Sequence, residues 1–337
     1  MSAYVHYLTA LYPQGRHYAA LLPKGDAKCK QNLSAYGLKC LGLLGEGSFS
    51  RVYHVKDKKT RQLLACKVAR FYPGMMFGRD RQHPAEAAQC ALQEILIAKE
   101  LTKKHVHGTM PILRYTPHEA VIRKYVRLLR FFPFHSGYSV LTLMPVGIPY
   151  QTFMEELFHS GRRLTNAQGA ALLLDLCEPL QHMQQAGICH RDIKPQNIML
   201  LRLPNGQVRA AITDFNISKP LGQDEIDTSF TLHNCTPRYA HPDHLRTQAY
   251  ARLSRTTAQR YDIYSLGVIA YMLFSFGDVP PKHGHIPPPR NAPSPQFSSL
   301  ILRMLSEDID RVPECSEVVS ELYRLLGSSG GWRGGRY

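Results

Sequence analysis

Several side chains able to do chemistry lie in one short segment of this 337-residue sequence, CHRDIKPQNIML at positions 189–200. They are His190, Arg191, Asp192, Lys194 and Asn197. Side chains of these types transfer protons, neutralise anionic charge and bind hard cations such as Mg²⁺. Because apolar residues bound the segment, it is expected to be a loop held between a helix and a strand.

The hydrophobic pattern predicts the elements around this loop. A long helix is predicted over 164–187, begun by Thr165 or Asn166 and ended by Gly187. A strand follows at VRAAITDF, and a mostly apolar helix, hence a buried one, covers 260–276. A proline-rich irregular loop comes after that helix.

The first half of the chain is richer in strands. Gly45 and Gly47 separate the first two strand-like runs, which indicates a hairpin. The strand-like runs are 36–45, 51–55, 62–70 and 138–144. A helix is predicted from Pro84, with apolar residues at a spacing of three and four. Three stretches have no interpretable pattern: 1–36, 115–137 and 244–260.

The loop resembles the catalytic loop of protein kinases, H-R-D-x-K-x-x-N, and further motifs of that family follow in order. GEGSFSRV resembles the glycine-rich loop, ACKV the strand with the ATP-binding lysine, TDFN the D-F-G element and DIYSLG the D-x-x-S-x-G helix. The resemblance implies a eukaryotic-like serine/threonine protein kinase. Its fold would be α+β and bilobal, with a small antiparallel-sheet N-lobe that has one key helix and a larger, mainly helical C-lobe.

The resemblance also implies the domain organisation. An extension at 1–36 precedes a kinase domain at 37–326, and a flexible Gly-rich tail follows at 327–337. Within the domain, the expected parts are an N-lobe at about 37–143, a hinge at about 144–149 and a C-lobe at about 150–326.

Phosphoryl transfer in this family depends on positioning and charge neutralisation. The resemblance implies that Asp192 accepts or orients the proton of the substrate hydroxyl, and that Lys194 neutralises charge on the phosphoryl group. Asn197 and Asp214 would bind Mg²⁺, with Mn²⁺ as an alternative. Asn216 replaces the glycine of D-F-G and is expected to keep its left-handed turn.

The expected ATP-binding residues are again those that the resemblance implies. Lys67 would hold the α- and β-phosphates, with Glu94 as its partner and Glu86 or Glu100 as alternatives. Ser50 replaces the third glycine of the phosphate-covering loop. The full expected set is Leu44, Gly45, Glu46, Gly47, Ser48, Phe49, Ser50, Val52, Ala65, Lys67, Glu94, Met144, Gly147 and Met199.

The register of the hinge leaves two interpretations open. Pro145 has no N–H group and cannot donate a hydrogen bond to adenine. Met144 is therefore expected as gatekeeper, with Gly147 as the donor. Thr142 as gatekeeper is the alternative.

The segment CTPRYAHPD at 235–243 resembles the end of a kinase activation segment. Thr236 is expected to face the catalytic loop. Arg191 precedes the catalytic aspartate, and kinases with that arginine are often switched by a phosphate in this segment. The expected phosphosite is Thr231, with Thr228 and Ser229 as rivals and a constitutively ordered loop as the other interpretation. Structural braces are expected from three residues: Asp243 paired with Arg311, and Asp262.

The expected function is transfer of the ATP γ-phosphate to Ser or Thr hydroxyls of proteins, with autophosphorylation in the activation segment. Lys194 and Thr236 favour this class over tyrosine kinases. A pseudokinase scaffold is an alternative because of Ser50 and Asn216. Small-molecule phosphotransferases share an H-x-D-x-x-x-x-N loop but generally lack the later motifs, and a nucleic-acid-binding module is suggested by charge alone.

Composition bounds the compartment and the partners. Eight cysteines form no C-x-x-C pair, which argues against a zinc or disulfide framework and for a reducing compartment. Neither a membrane-length apolar run nor a signal-peptide pattern is found, so a soluble cytoplasmic protein without a membrane span is expected. The net charge of +15 favours acidic partners.

One basic stretch, LRTQAYARLSRTTAQR at 245–260, carries four arginines and no acidic residue. They are Arg246, Arg252, Arg255 and Arg260. In the family's architecture the stretch lies just beyond the substrate groove. A positive field attracting acidic peptides is therefore expected, with a solvated basic turn as the alternative.

Overall fold

The structure is a computed structural model that describes residues 33–47, 50–71, 84–131, 138–220, 236–243 and 254–327. These residues form two compact units. The smaller unit contains the described residues before Lys103 together with Met110–Val146. The larger unit contains Lys103–Thr109 and the described residues from Gly147 onward. The division after Val146 falls inside the stretch 144–149 that the sequence identifies as a hinge.

The smaller unit is built on one antiparallel sheet with strand order β1-β2-β3-β5-β4. Its strands are β1 (Leu38–Glu46), β2 (Ser50–Asp57), β3 (Leu63–Phe71), β4 (Arg114–Thr116) and β5 (Tyr138–Pro145). Two helices accompany it, α1 (Pro84–Lys103) and α2 (Glu119–Phe131). Both β4 and α2 lie in or beside the stretch 115–137, for which the sequence pattern predicted nothing.

The alternation of side chains along β3 gives this sheet two different faces. Leu64, Cys66 and Val68 pack on one face with Val55 and Leu143. Ala69 and Val140 lie on the other face, in a cluster formed with α1 and α2. Lys67 shares the second face because it alternates with Cys66 and Val68. The sheet therefore points Lys67 toward the helical side of the unit.

The larger unit is mainly helical. Its helices are α3 (Tyr150–His159), α4 (Asn166–Gln185), α5 (Arg255–Leu273), α6 (Pro295–Met304) and α7 (Cys315–Gly327). Its strands are β6 (Ile148–Pro149), β7 (Ile188–Cys189), β8 (Ile198–Arg202), β9 (Val208–Ile212) and β10 (Lys219–Pro220). Strands β6, β8 and β9 form one antiparallel sheet, and β7 pairs with β10.

Helix α4 begins and ends where the sequence predicted. Thr165 is its N-cap and forms a capping box with Gln168, which satisfies two backbone N–H groups at the helix start. Gly187, at a φ of 77°, lets the chain leave the helix in a left-handed conformation. The catalytic-loop sequence follows two residues later.

Helix α5 begins at Arg255, capped by the Ser254 side chain, rather than at about residue 260. The last part of the basic stretch 245–260 is therefore helical. The helix is buried over most of its length, as its apolar sequence predicted.

A buried ion pair fixes β9 to α4. Asp175 is 1% exposed, its Oδ1 lies 2.5 Å from Arg209 Nε, and its Oδ2 accepts a hydrogen bond from the Ala210 N–H at 2.7 Å. The motif-based reading of the sequence did not single out Asp175. This contact matters because β9 leads directly into Asp214.

We expect Asp175→Asn to destabilise the protein by about 1–3 kcal/mol, because it leaves the Arg209 guanidinium without its buried counter-charge. The free energy of unfolding is measured by urea denaturation of three proteins: Asp175→Asn, Arg209→Met and the double variant. Strictly additive effects in that cycle would show that the pair contributes no coupling. Asp278→Asn, at a carboxylate that is 58% exposed, is the matched control and should be nearly silent.

Candidate active site

In the smaller unit, strand β3 and helix α1 form a buried ion pair. Lys67 Nζ donates hydrogen bonds to Glu94 Oε1 and Oε2, both at 2.9 Å. The side chains are 12% and 6% exposed, so little solvent screens the pair. The sequence predicted Glu94 as the partner over Glu86 and Glu100, and this pairing is confirmed. That Lys67 binds ATP phosphates stays a prediction.

The end of β1 and the start of β2 form the described part of the glycine-rich loop. The Gly47 N–H donates to the Ser50 carbonyl at 2.8 Å, and Ser50 pairs with Ala69 of β3. Ser50 has no positive φ, so its Cβ adds no backbone strain. The Glu46 carboxylate lies 2.8 Å from the Arg51 guanidinium on the exposed side. Ser48 and Phe49 lie outside the described residues.

The strand register bears on the hinge alternatives. Ala65 lies opposite Met144, and Lys67 lies opposite Thr142. Met144 and Thr142 are both buried, at 7% and 3% exposed, so burial does not distinguish them as gatekeeper.

Gly147 lies in a crowded position, because a Cβ there would approach Met199 Cβ to 3.0 Å and Leu201 Cδ2 to 2.9 Å. Met199, on β8, is partly buried beside this position. Which residues contact adenine stays a prediction.

In the larger unit, three side chains of the predicted site converge on Asp192. Lys194 Nζ lies 2.5 Å from Asp192 Oδ2, and Thr236 Oγ1 donates to Asp192 Oδ1 at 2.8 Å. Lys194 Nζ also donates to Thr236 Oγ1 at 2.8 Å. Asn197 Nδ2 donates to the Asp192 carbonyl and to Asp192 Oδ2, each at 2.9 Å. Thr236 therefore faces the catalytic loop, as the sequence predicted.

Local geometry explains how Asn197 reaches this position. A 3₁₀ turn at Pro195–Asn197 begins with proline, whose fixed φ suits the first position of a helix. Strand β8 starts directly after it, and Thr213 N–H donates to the Asn197 carbonyl at 2.9 Å. The β8–β9 hairpin thus brings Asn197 beside Thr213, and Asp214 is the next residue.

The donor set at this point fits a hard cation. Both Asn197 Nδ2 contacts go to Asp192, so the amide oxygen Oδ1 is the atom that Asn197 can offer to a cation. Asp214 adds a carboxylate, and oxygen ligands are the ones Mg²⁺ prefers. Among the described residues, no group of three or more His, Cys, Asp or Glu side chains could hold a metal. Any cation here would therefore need ligands beyond the side chains, such as phosphate oxygens.

Asp262 of α5 holds the catalytic loop by its backbone. Its Oδ2 accepts from the His190 N–H at 2.8 Å and its Oδ1 from the Arg191 N–H at 2.7 Å. Arg191 has a φ of 75°, a strained conformation for a residue with a side chain. Burial raises the pKa of the Asp262 carboxyl, while these hydrogen bonds oppose the rise. The predicted bracing role of Asp262 is confirmed by these contacts.

His190 has a structural role. It is fully buried, its Nε2 lies 2.9 Å from the Thr213 carbonyl, and the Asp192 N–H donates to its Nδ1 at 3.3 Å. Its ring meets the edge of Phe215 at 5.6 Å between centroids. The histidine thus joins the catalytic loop to the residues flanking Asp214.

One prediction about the D-F-N element is wrong. The left-handed residue is Asp214, with a φ of 67°, whereas Asn216 lies in a 3₁₀ turn at Phe215–Ile217 without a positive φ. Aspartate tolerates the left-handed region because its short polar side chain adds little steric conflict. The replacement of glycine by Asn216 therefore imposes no strain in this conformation.

The predicted Arg311–Asp243 brace is also not found among the described ion pairs. Arg311 Nε lies 3.3 Å from Asp308 Oδ2, three residues away, and the arginine side chain is 81% exposed. A short turn at Ile309–Arg311 favours this local partner.

His241, the residue before Pro242, takes over part of the bracing. His241 is fully buried and its Nε2–H donates to the Ser306 carbonyl at 3.0 Å, because a carbonyl can only accept. Its Nδ1 accepts from the Asp243 N–H at 3.1 Å. The neutral imidazole therefore joins the end of the activation segment to the chain after α6.

The structure gives partners to two of the four arginines of the basic stretch 245–260. Arg260 Nη1 pairs with Asp310 Oδ1 at 3.1 Å, and Arg255 Nη2 donates to the Gln184 carbonyl at the end of α4 at 3.0 Å. Arg260 thus has a counter-charge, whereas the neutral carbonyl leaves the charge of Arg255 in place, and a positive field that attracts acidic peptides stays a prediction. Arg246 and Arg252 lie outside the described residues, as do Thr228, Ser229 and Thr231.

Comparison with known proteins agrees with this geometry. The sequence matches the protein kinase domain family over residues 38–326. It is 30% identical over 187 residues to a probable serine/threonine-protein kinase of Streptomyces coelicolor, covering 49% of this chain and 26% of that protein. It is 24% identical over 299 residues to the serine/threonine-protein kinase Nek10 of Mus musculus, covering 84% of this chain and 24% of Nek10.

A third relative is closer in length. The putative serine/threonine-protein kinase PRKY of Homo sapiens is 24% identical over 259 residues, 76% of each chain. The chain spans about a quarter of the length of the first two relatives. With its family match, its antiparallel sheet unit and its helical unit, the chain belongs to the eukaryotic-like serine/threonine protein kinase family and has the bilobal kinase fold.

Two further structural observations concern the chain as a whole. None of the helices in the described ranges is both long and apolar enough to cross a membrane. Cys66 and Cys189, which adjoin site residues, are buried cysteines. Burial raises the pKa of the Cys189 thiol well above its ordinary value, so this thiol is a poor nucleophile.

His241 gives the fold a predictable response to acid. Burial lowers the pKa of His241 below its ordinary value of 6.5, so the unfolded chain binds a proton before the folded one does. The free energy of unfolding should therefore fall as the pH drops below about 6.5. Chemical denaturation at pH 7.5, 6.5 and 5.5 measures the slope.

The His241→Asn variant should show a shallower slope over that range. Some slope will persist because burial also lowers the pKa of His54. His283→Asn, at a side chain that is 60% exposed, is the control and should keep the wild-type slope. An unchanged slope in His241→Asn would remove this residue from the acid response.

Proposed function

We propose that this chain is an active serine/threonine protein kinase that transfers the γ-phosphate of ATP to protein hydroxyls. The observation that carries the proposal is the contact set around Asp192. Its carboxylate is held by Asn197 and contacts both Lys194 and Thr236. A carboxylate fixed in this way can take a proton from a hydroxyl without changing its own position.

Each residue then has a defined task. The substrate oxygen attacks the γ-phosphorus, the bond from that phosphorus to the β–γ bridging oxygen breaks, and ADP leaves. Asp192 orients the hydroxyl and receives its proton. Lys194 stabilises negative charge on the transferred group. The sequence predicts the serine/threonine class from Lys194 and Thr236 together. The hydrogen bond between these two side chains supports that prediction.

The cofactors fit the residues present. Lys67, fixed by Glu94, would bind the α- and β-phosphates. Asn197 Oδ1 and the Asp214 carboxylate would hold Mg²⁺, which neutralises phosphate charge when bound. The presence of these four residues in the sequence argues against a pseudokinase. The placement of Ser50 and Asn216 without backbone strain argues against it as well.

We expect Asp192→Asn to reduce phosphotransfer by about 10²–10⁴-fold while ATP binding and folding change little. The assay uses radiolabelled ATP, Mg²⁺ and a basic and an acidic protein substrate, followed by phosphoamino-acid analysis. Lys67→Met should also lose most activity, because the β3 lysine must be in place for transfer. Lys39→Met, at an exposed lysine of β1, is the matched control and should stay active.

The result separates the alternatives. Phosphoserine and phosphothreonine made by wild type and lost in Asp192→Asn support the proposal. Nucleotide binding without any transfer by wild type would instead support the pseudokinase scaffold, and phosphotyrosine alone would overturn the substrate class.

Autophosphorylation in the activation segment is part of the proposal. Thr231 is the expected site, with Thr228 and Ser229 as rivals, because Arg191 can pair with a phosphate there. Wild type incubated with ATP and mapped by mass spectrometry should carry phosphate on this segment, and the triple alanine variant should be less active. Full activity of that variant would favour a constitutively ordered segment.

Preference for acidic substrates is part of the proposal, although Arg260 is paired with Asp310. Arg246, Arg252 and Arg255 would carry it. The described cysteines form no disulfide, which suits action in a reducing compartment such as the cytoplasm.

A further inference from the structure

Helix α2, like β4, is an element of the smaller unit that the sequence pattern did not predict. Its buried side chains are Ile122, Val126 and Leu129, which are 0%, 7% and 0% exposed and lie on one face of the helix. Arg123 and Arg127 lie on the exposed face. The apolar face belongs to the same cluster as α1, Ala69 and Val140.

The face of α1 in this cluster consists mainly of small residues. They are Ala85, Ala88 and Ala91, with Leu92 and Ile95 farther along the helix. Small residues allow two helices to approach closely, and Ile95 directly follows Glu94. Packing at this cluster therefore fixes the rotation of α1 at the turn that carries Glu94.

A polar contact connects the same elements near the end of α1. Glu119 Oε1, at the start of α2, accepts from Lys99 Nζ at 2.5 Å and from Tyr115 Oη at 2.7 Å. Tyr115 lies on β4 opposite Thr142 of β5, and Thr142 lies opposite Lys67 of β3. Glu119 thus connects α1 and α2 to β4, the edge strand of the sheet. Lys67 projects from β3 of the same sheet.

We propose that α2 is a built-in positioning helix that keeps Glu94 in contact with Lys67 by packing against α1. Ile122, Val126 and Glu119 are its positioning residues. They act through α1 and do not contact the reacting atoms. The functional consequence rests on the proposed kinase activity, whereas the structural consequence does not.

The physical reason is that the Lys67–Glu94 ion pair does not by itself stabilise the position of α1. Burying two charges costs free energy, and the pair compensates only while its geometry is good. Loosening α1 by a small rotation would lengthen both 2.9 Å contacts. Packing against α2 prevents this rotation of α1.

The test compares two truncations in the smaller unit. Val126→Ala removes two methyl groups from the α1–α2 cluster, and Val55→Ala removes the same atoms from the cluster on the opposite sheet face. Both variants should lose thermal stability. Only Val126→Ala should speed amide hydrogen exchange in α1, by roughly tenfold, and lower kcat more than it raises KM for ATP.

Charge reversal tests the polar contact. Lys99→Glu and Glu119→Lys should each lower kcat by about two- to fivefold, and the double exchange should restore most of it. Ile122→Val is a milder variant that supplies the exchange measurement if Val126→Ala does not fold.

The outcomes decide the proposal separately from the function. Equal exchange of α1 in Val126→Ala and Val55→Ala would overturn it, and so would a double exchange that behaves like the sum of the single reversals. If wild type proves inactive, the proposed function fails, yet selective loosening of α1 by Val126→Ala would still support the positioning role of α2.

Discussion

The larger unit depends on one buried carboxylate. Asp262, on a helix that is itself almost fully buried, accepts the backbone N–H groups of His190 and Arg191. These two hydrogen bonds hold Arg191 in its left-handed conformation. They thereby set the direction of the chain from β7 to Asp192. The rest of the site meets at that anchored loop, because Asn197, Lys194 and Thr236 all contact Asp192. Burial of Asp262 is costly, and the paired backbone donors offset that cost.

The smaller unit also depends on a buried ionised group, but there the partner is a second charged side chain. Lys67 lies on a strand in the middle of the sheet and Glu94 on a helix, so their contact depends on how the helix packs. Both arrangements place an ionised group where water is scarce and use the surrounding fold to keep its partner in place. A site of this kind is precise because few alternative conformations satisfy the buried groups.

Corrections to the sequence-based expectations share a cause. The motifs predict a left-handed turn at Asn216 and an Arg311–Asp243 pair, and the charge run predicts a positive field that includes Arg260. The structure has a nearer solution for each: a 3₁₀ turn, the carboxylate of Asp308 and the carboxylate of Asp310. A long basic side chain donates to whichever acceptor the fold brings close, and the spacing of a motif does not encode that choice.

The sequence by itself determined the family, the main elements and the residues of the catalytic loop. Motif order and residue chemistry identify Asp192, Lys194 and Asn197, and capping at Thr165 fixes where α4 starts. Tertiary structure alone decided the helix α2, the Asp175–Arg209 pair and the contacts of Glu119. The reason is that the first set depends on local geometry and spacing, which a sequence displays. The second set depends on which distant side chains share a buried space, and only packing decides that.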